Sequence, residues 1–189
     1  YRIGPDKPIL ISGYISALNR LAYALYLIEH NDKPSKSLLR RLRLPETFDP
    51  ACYEAIVEAA FALAGASIEG AEDRRSSNRK PEFFATFKSG ERYAVEAKRK
   101  ASWKTPFDFD SEEFAGELKA WLRGRVYAAS EKKLMKPVYW FELSIGERLT
   151  DDDAEKLRKL VGDAIEDAET ITVDRKPPQP AYVVVTNNA

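Results

Sequence analysis

The sequence predicts a mixed α/β domain in which helices cover both faces of a β-sheet. Stretches with apolar residues at three- and four-residue spacing, which is typical of helices, alternate with short apolar runs that are typical of strands. Turn-forming and helix-capping residues separate many of these stretches. After two N-terminal helices, the predicted order is one helix, three strands, and then helix, strand, helix and strand.

The first 48 residues predict a helical extension. Apolar residues recur at helical spacing over 13–30, and a short basic helix is predicted over 35–44, where Pro45 ends it. We therefore divide the chain into an N-terminal helical extension, 1–48, and an α/β domain, 49–189. The extension is interpreted as an accessory element or as a docking helix for another part of a longer protein.

The α/β domain is predicted to begin with a helix that Asp49 caps, with Pro50 in the first helical position. A second helix is predicted over 111–134, and a third follows the capping residue Thr150. Strands are predicted over 67–74, 83–88, 92–98, 138–145 and 181–186. The last strand holds three consecutive valines, and an unbroken apolar run of this kind favours a strand buried on both faces.

The second and third predicted strands carry the pattern that bears most directly on function. They form a hairpin in which Glu82 heads the first strand, and Glu96 and Lys98 end the second. Side chains two residues apart in a strand point to the same side, so Glu96 and Lys98 share one face of the sheet. Two carboxylates and an ammonium can hold a divalent ion and a water, which is the chemistry of phosphodiester cleavage.

An acid two residues before a lysine is a weak signal by itself. The pattern recurs at 117–119 and 131–133, both inside a predicted helix, where we interpret the charges as surface groups. The copy at Glu96 differs because it ends an apolar strand and follows a partner strand headed by an acid. The alternative interpretation is that Glu96 and Lys98 form a surface ion pair, which contributes little to stability.

In this order of elements the chain resembles the PD-(D/E)XK nuclease superfamily, whose fold is called restriction-endonuclease-like. The resemblance covers roughly residues 50–186 and implies a three-layer α/β/α domain with a mixed sheet. It places the first acid of the motif at Glu82, the second at Glu96 and the lysine at Lys98. The chain has Pro-Glu where the family usually has Pro-Asp, and glutamate reaches one methylene further, so the geometry around a metal would shift.

The resemblance implies a nuclease that hydrolyses DNA or RNA with Mg²⁺ or Mn²⁺, and by association a bacterial defence or repair effector. The implied metal ligands are Glu82, Glu96 and the backbone carbonyl of Ala97. Lys98 would orient or deprotonate the attacking water, with its pKa lowered by partial burial, or would neutralise charge in the transition state. The alternative is a catalytically inactive domain that binds nucleic acid or assembles with other proteins.

Many members of the superfamily add a glutamate from the first helix, and Glu54 and Glu58 are the two candidates. At about 100° per residue, Glu54 lies nearer to the apolar stripe of the helix, flanked by Val57 and Phe61. Glu58 lies further toward solvent. We therefore assign the role to Glu54 and expect Glu58 to be exposed.

Weaker candidates for substrate binding lie near the hairpin and on the long helix. Arg99 and Lys100 directly follow Lys98, and Arg125 lies on the helix, where a cation needs a partner such as Glu54 or the scissile phosphate. Trp103 belongs to an aromatic loop that would stack on unpaired bases, dock another domain, or simply cover the core.

The amino-acid composition indicates the class of protein and its expected cellular location. Of the 189 residues, 44% are hydrophobic and 32% are charged, as in soluble globular proteins. No stretch approaches the ~20 apolar residues of a membrane span. A single cysteine, Cys52, and a single histidine, His30, exclude an internal disulfide and the usual zinc site, which favours a cytoplasmic location.

Charge and the start of the chain bear on its partners. A net charge of zero argues against coating nucleic acid without selectivity, but local basic clusters suffice to bind phosphates. We expect nucleic acid, DNA first, as the partner, and no membrane. The chain starts at Tyr1, which indicates a fragment or a chain that lacks its ordered start, so other domains or subunits of a larger protein are expected partners too. A homodimer would supply two sites for double-strand cleavage.

Overall fold

A computed structural model describes residues 13–31, 34–71, 80–100, 103–104, 107–130, 134–145, 149–170 and 180–187. These residues contain five helices and one five-stranded mixed sheet. The helices are α1 (Gly13–Asn31), α2 (Lys36–Arg41), α3 (Pro45–Leu63), α4 (Glu112–Ser130) and α5 (Asp151–Glu169). The strands are β1 (Ser67–Gly70), β2 (Phe83–Thr86), β3 (Arg92–Arg99), β4 (Pro137–Glu142) and β5 (Tyr182–Thr186).

The strands lie side by side in the order of the chain. The first three form an antiparallel meander, whereas β3, β4 and β5 are parallel and are joined by α4 and α5. Parallel neighbours need a crossover of this length, and a helix supplies it. The predicted order of elements and the mixed α/β class are therefore confirmed.

Each face of the sheet is covered by helix, because successive side chains of β4 point to opposite sides. Val138 packs with Tyr53 and Val57 of α3, whereas Tyr139 packs with apolar residues of α4 and α5, among them Leu118. This arrangement is compatible with a three-layer α/β architecture.

The N-terminal helices pack on α3, on the side away from the sheet. Ile28 of α1 and Leu38 of α2 are buried against Ala51 and Ala55 of α3. The small alanine side chains let the helices approach closely, and α3 is covered on two sides as a result. The predicted boundary between the helical extension and the α/β domain, between residues 48 and 49, falls inside α3. The boundary itself stays a prediction.

The first helix of the α/β domain starts earlier than predicted. It begins at Pro45, after Leu44, and Pro50 lies inside it, so Asp49 is not its cap. Pro45 suits the first helical position because its missing N–H would have no partner there. Pro50 is tolerated because the surrounding turn is largely exposed, where water can replace the lost helical bond. The predicted Thr150 cap of α5 is confirmed.

The expectation that the last strand is buried on both faces is wrong. β5 lies at the end of the sheet order, its valines are half-buried, and Tyr182 is exposed. Residues 1–12, 72–74 and 131–133, which belong to predicted segments, lie outside the described residues. Within the described part of the chain, no helix combines the length and apolar character needed to span a bilayer.

Candidate functional site

The β2–β3 hairpin sets the positions of the three motif residues. Phe83 pairs with Val95, and extending this antiparallel register by one residue places Glu82 opposite Glu96. The backbone N–H of Glu82 donates to the carbonyl of Val95 at 2.9 Å, which fixes the entry into β2. Lys98 lies two residues beyond Glu96, so all three side chains occupy one face at the end of β3.

The ammonium of Lys98 joins the two carboxylates. Its Nζ donates to Oε1 of Glu82 and lies 3.5 Å from Oε2 of Glu96. Glu96 is 2% exposed, whereas the side chain of Lys98 is 34% exposed, so the cluster is closed on the Glu96 side and open to solvent on the other. The structure therefore brings together the three groups that the sequence predicts to meet.

The charge state of Lys98 differs from the expectation. Burial alone would lower its pKa, but the negative charges of Glu82 and Glu96, together with the hydrogen bond to Glu82, outweigh this and raise the pKa. The predicted lowering is thus wrong, because two carboxylates next to an ammonium stabilise its charged form more than partial burial destabilises it. A raised pKa keeps Lys98 protonated at neutral pH.

Glu54 approaches the cluster from α3. It is 3% exposed, and its Oε1 accepts a hydrogen bond from Nη2 of Arg41 at 2.7 Å. Burial and the charge of Glu82 raise its pKa to about 7, while Arg41 and Lys98 act in the opposite direction. Glu54 therefore lies within the electrostatic field of Glu82 and Lys98, and near neutral pH both of its protonation states are populated.

Glu58 is buried as well, so the expectation that it faces solvent is wrong. It is 2% exposed, and burial followed by the charge of Glu54 raises its pKa to about 8. The helical pattern indicated a single apolar stripe, but α3 packs against the sheet on one side and against α1 and α2 on another. The flank between these contacts, which carries both glutamates, is closed off as a consequence.

Arg41 is the residue of the cluster that the sequence did not reveal. It lies at the end of α2, one turn after the buried Leu38, and Leu38 fixes this side of the helix against α3. Neighbouring Arg40 and Arg43 made the stretch resemble an ordinary basic surface. The spacing of Leu38 and Arg41, three residues apart, was the available signal, because such residues share a helix face.

The oxygen atoms of the cluster fit magnesium better than zinc. Among the described residues, no three His, Cys, Asp or Glu side chains are grouped so as to hold a metal by themselves. Mg²⁺, however, binds through one or two carboxylates and keeps several waters. Glu82 and Glu96 supply two, and strand alternation directs the carbonyl of Ala97, like that of Val95, toward the edge that holds Glu82.

The side chains of Lys100 and Trp103 contact other residues of the same chain. Nζ of Lys100 lies 2.7 Å from Glu117 in a pair that is 11% and 15% exposed, and it also lies 4.5 Å from the centre of the Trp103 ring. The indole N–H of Trp103 donates to the carbonyl of Leu143 at 2.9 Å, and the ring packs against Phe114. Of the three interpretations of this loop, the structure favours the one in which it covers the core.

Arg99 and Arg125 lie away from the cluster. Arg99 follows Lys98 and therefore faces the other side of the sheet, where it lines a cavity with Tyr53 and donates to Ser144 at 2.6 Å. Arg125 is exposed on α4, with its guanidinium 5.9 Å from the centre of the Trp121 ring. Of the two partners proposed for Arg125, Glu54 pairs with Arg41 instead, and the scissile phosphate stays a prediction.

Comparisons of the chain with protein-family models, with curated proteins and with solved structures found no match.

Proposed function

We propose that the protein is a metal-dependent nuclease with a restriction-endonuclease-like domain, and that the end of β3 is its active site. The observation that carries the proposal is the meeting of Glu82, Glu96 and Lys98 at one open strand end. At the end of β3 the pattern includes a carboxylate, Glu96, that is almost fully buried. Buried ionisable groups that lie beside other charged groups at an opening to solvent are typical of functional sites.

Each residue has a distinct role in the proposed reaction. Glu82, Glu96 and the carbonyl of Ala97 would hold Mg²⁺ or Mn²⁺, which when bound polarises the phosphate and acidifies a water. Lys98, protonated at neutral pH, would neutralise negative charge on the phosphate oxygens in the transition state. Glu54, with a pKa of about 7, would accept the proton of the attacking water.

A second candidate function is a nuclease-like module that binds nucleic acid or a protein without cutting. The contact of Lys98 with Glu82 favours it, because this pair already neutralises one of the two proposed metal ligands. Glutamate at position 82 also extends the carboxylate one methylene further than the aspartate that is usual in the resembled family.

Metal binding and cleavage test the first candidate against the second. We expect calorimetry to detect Mn²⁺ binding by the wild-type protein, and cleavage of plasmid, single-stranded DNA or RNA in its presence. Glu96→Gln should abolish Mn²⁺ binding, and Lys98→Ala should lower the cleavage rate by about 10²- to 10³-fold, as for removal of one transition-state donor. Glu91→Gln is the matched control, since Glu91 pairs with Lys136 on the exposed, opposite end of the hairpin.

Two results would count against this assignment. Cleavage that survives both substitutions would place the active site elsewhere. Binding of nucleic acid without Mn²⁺ binding or cleavage would favour the second candidate.

A further inference from the structure

The N-terminal helices contribute to the cluster through one contact. Arg41 belongs to α2, Glu54 belongs to α3, and the two side chains meet at 2.7 Å with exposed fractions of 23% and 4%. The charge of Arg41 also acts on Glu58, which lies one turn further along α3. Arg41 is therefore the cation that faces both buried acids of α3.

Packing holds Arg41 in this position. Leu38, three residues earlier, is completely buried against α3, and Ser35 caps α2 by accepting from the N–H of Leu38 at 3.0 Å. Gly70 at the end of β1 lies against Ser35, and a Cβ at Gly70 would come within 2.8 Å of the Ser35 Cβ. These contacts fix the first part of α2 against β1 and α3, and Arg41 lies one turn after Leu38 on the same side of the helix.

An unpaired carboxylate at the position of Glu54 would not stay ionised. Glu54 is 3% exposed, and Glu82 adds like charge, while Lys98 is shared with Glu82 and Glu96. Removing one partner of a buried ion pair leaves an uncompensated charge, which is far more costly than removing both.

We propose that Arg41 is a positioning residue that holds the Glu54 carboxylate in place beside the Glu82–Glu96–Lys98 cluster, so that the N-terminal helical segment forms part of the active site. This inference rests on the proposed function. Groups that orient a functional residue of a metal site typically contribute about 10- to 100-fold to metal affinity or activity, and for a proton acceptor we expect the effect on activity. Arg41 would do so without touching metal or substrate.

A double-mutant cycle tests the inference on the full chain. The variants are Arg41→Met, Glu54→Gln and the pair combined, with the cleavage rate measured as a function of pH and Mn²⁺ affinity measured by calorimetry. Arg41→Met alone should lower the cleavage rate at pH 7 about tenfold or more and move its pH profile to higher pH, while Mn²⁺ still binds, because Glu54 is not a proposed metal ligand. In the Glu54→Gln background it should change nothing further, because its effect acts through Glu54. The double variant removes the charge of both partners of the Arg41–Glu54 pair, so it should fold even if Arg41→Met is unstable.

Two additional variants separate charge from packing. Arg41→Lys keeps the positive charge and should recover most of the cleavage rate. Arg40→Met, on the exposed side of the same helix, is the matched control and should leave the rate and its pH profile unchanged. If Arg41→Met lowers thermal stability while its rate and pH profile equal those of the control, or if it lowers the rate equally in both backgrounds, Arg41 has no positioning role.

The outcomes also separate this inference from the proposed function. A wild-type protein that neither binds Mn²⁺ nor cleaves nucleic acid would overturn both. A wild-type protein that does both, with Arg41→Met unchanged in cleavage rate and pH profile, would overturn the inference about Arg41 alone.

Discussion

Burial of two glutamates on one flank of α3 couples the stability of the protein to pH. The folded-state pKa of Glu58 is about 8, against an ordinary value of 4.5, and burial is the main cause, with the charge of Glu54 second and that of Glu82 smaller. Between these two pH values the folded state binds more protons than the unfolded state. Stability from this group is therefore present at acidic pH and declines as pH rises toward 8.

Glu58→Gln should remove this decline, because a neutral amide does not titrate. We expect the wild-type free energy of unfolding to fall from pH 5 to pH 8 by roughly 2 to 4 kcal/mol more than that of Glu58→Gln. Urea unfolding at pH 5, 6.5 and 8 measures the difference. Glu46→Gln, in the exposed first turn of the same helix, is the control and should follow the wild type. Parallel pH profiles for wild type and Glu58→Gln would show that Glu58 does not titrate as described.

At the scale of elements, the contact between β1 and α2 depends on glycine at position 70, which has no Cβ. A Cβ at Gly70 would lie 2.8 Å from the Cβ of Ser35, closer than carbon atoms approach without movement. Gly70→Ala should therefore push α2 away from β1 and destabilise the fold by about 1–3 kcal/mol. Gly124→Ala is the control, because Gly124 lies inside α4 with open space around it. It should stabilise by up to ~1 kcal/mol in the same urea titration. Equal effects of the two substitutions would contradict the close approach.

The elements differ in how far the sequence predicts them. The hairpin and its three charged residues follow from period-two alternation and a short turn, both of which are local. The start of α3 does not follow from local pattern, because Pro45 and Pro50 are both acceptable first residues of a helix. The exposed turn between them is compatible with a helix that begins at either proline. The burial of β5 also depends on its place in the sheet, which its three valines do not reveal.

At the scale of the whole molecule, α3 links the two parts of the chain. Its alanine-rich side contacts α1 and α2, its Tyr53 and Val57 contact the sheet, and its glutamates lie between. The meeting of Arg41 and Glu54 is a tertiary contact between helices, and residue spacing within either helix does not predict it. The sequence thus indicates the motif on the hairpin but not the cation that completes its surroundings.

A chain that begins at residue 49 tests the division of the sequence into an extension and a domain. This change removes α1, α2 and the first turn of α3, so it would expose Ala51 and Ala55 and would leave Glu54 without Arg41. We expect this shortened chain to lose cooperative urea unfolding, or to aggregate during gel filtration. Cooperative unfolding at the wild-type urea midpoint would instead establish 49–189 as an independent folding unit.

The positions of the clustered charges along the chain bear on the entropy of assembling them. Lys98 and Glu82 are 16 residues apart, and Arg41 and Glu54 are 13 residues apart. Closing loops of this size costs less conformational entropy than bringing together the distant strands β4 and β5, and such contacts have low contact order. The charged cluster is accordingly among the entropically least demanding long-range features of this topology, and most of the ordering cost falls on the parallel half of the sheet.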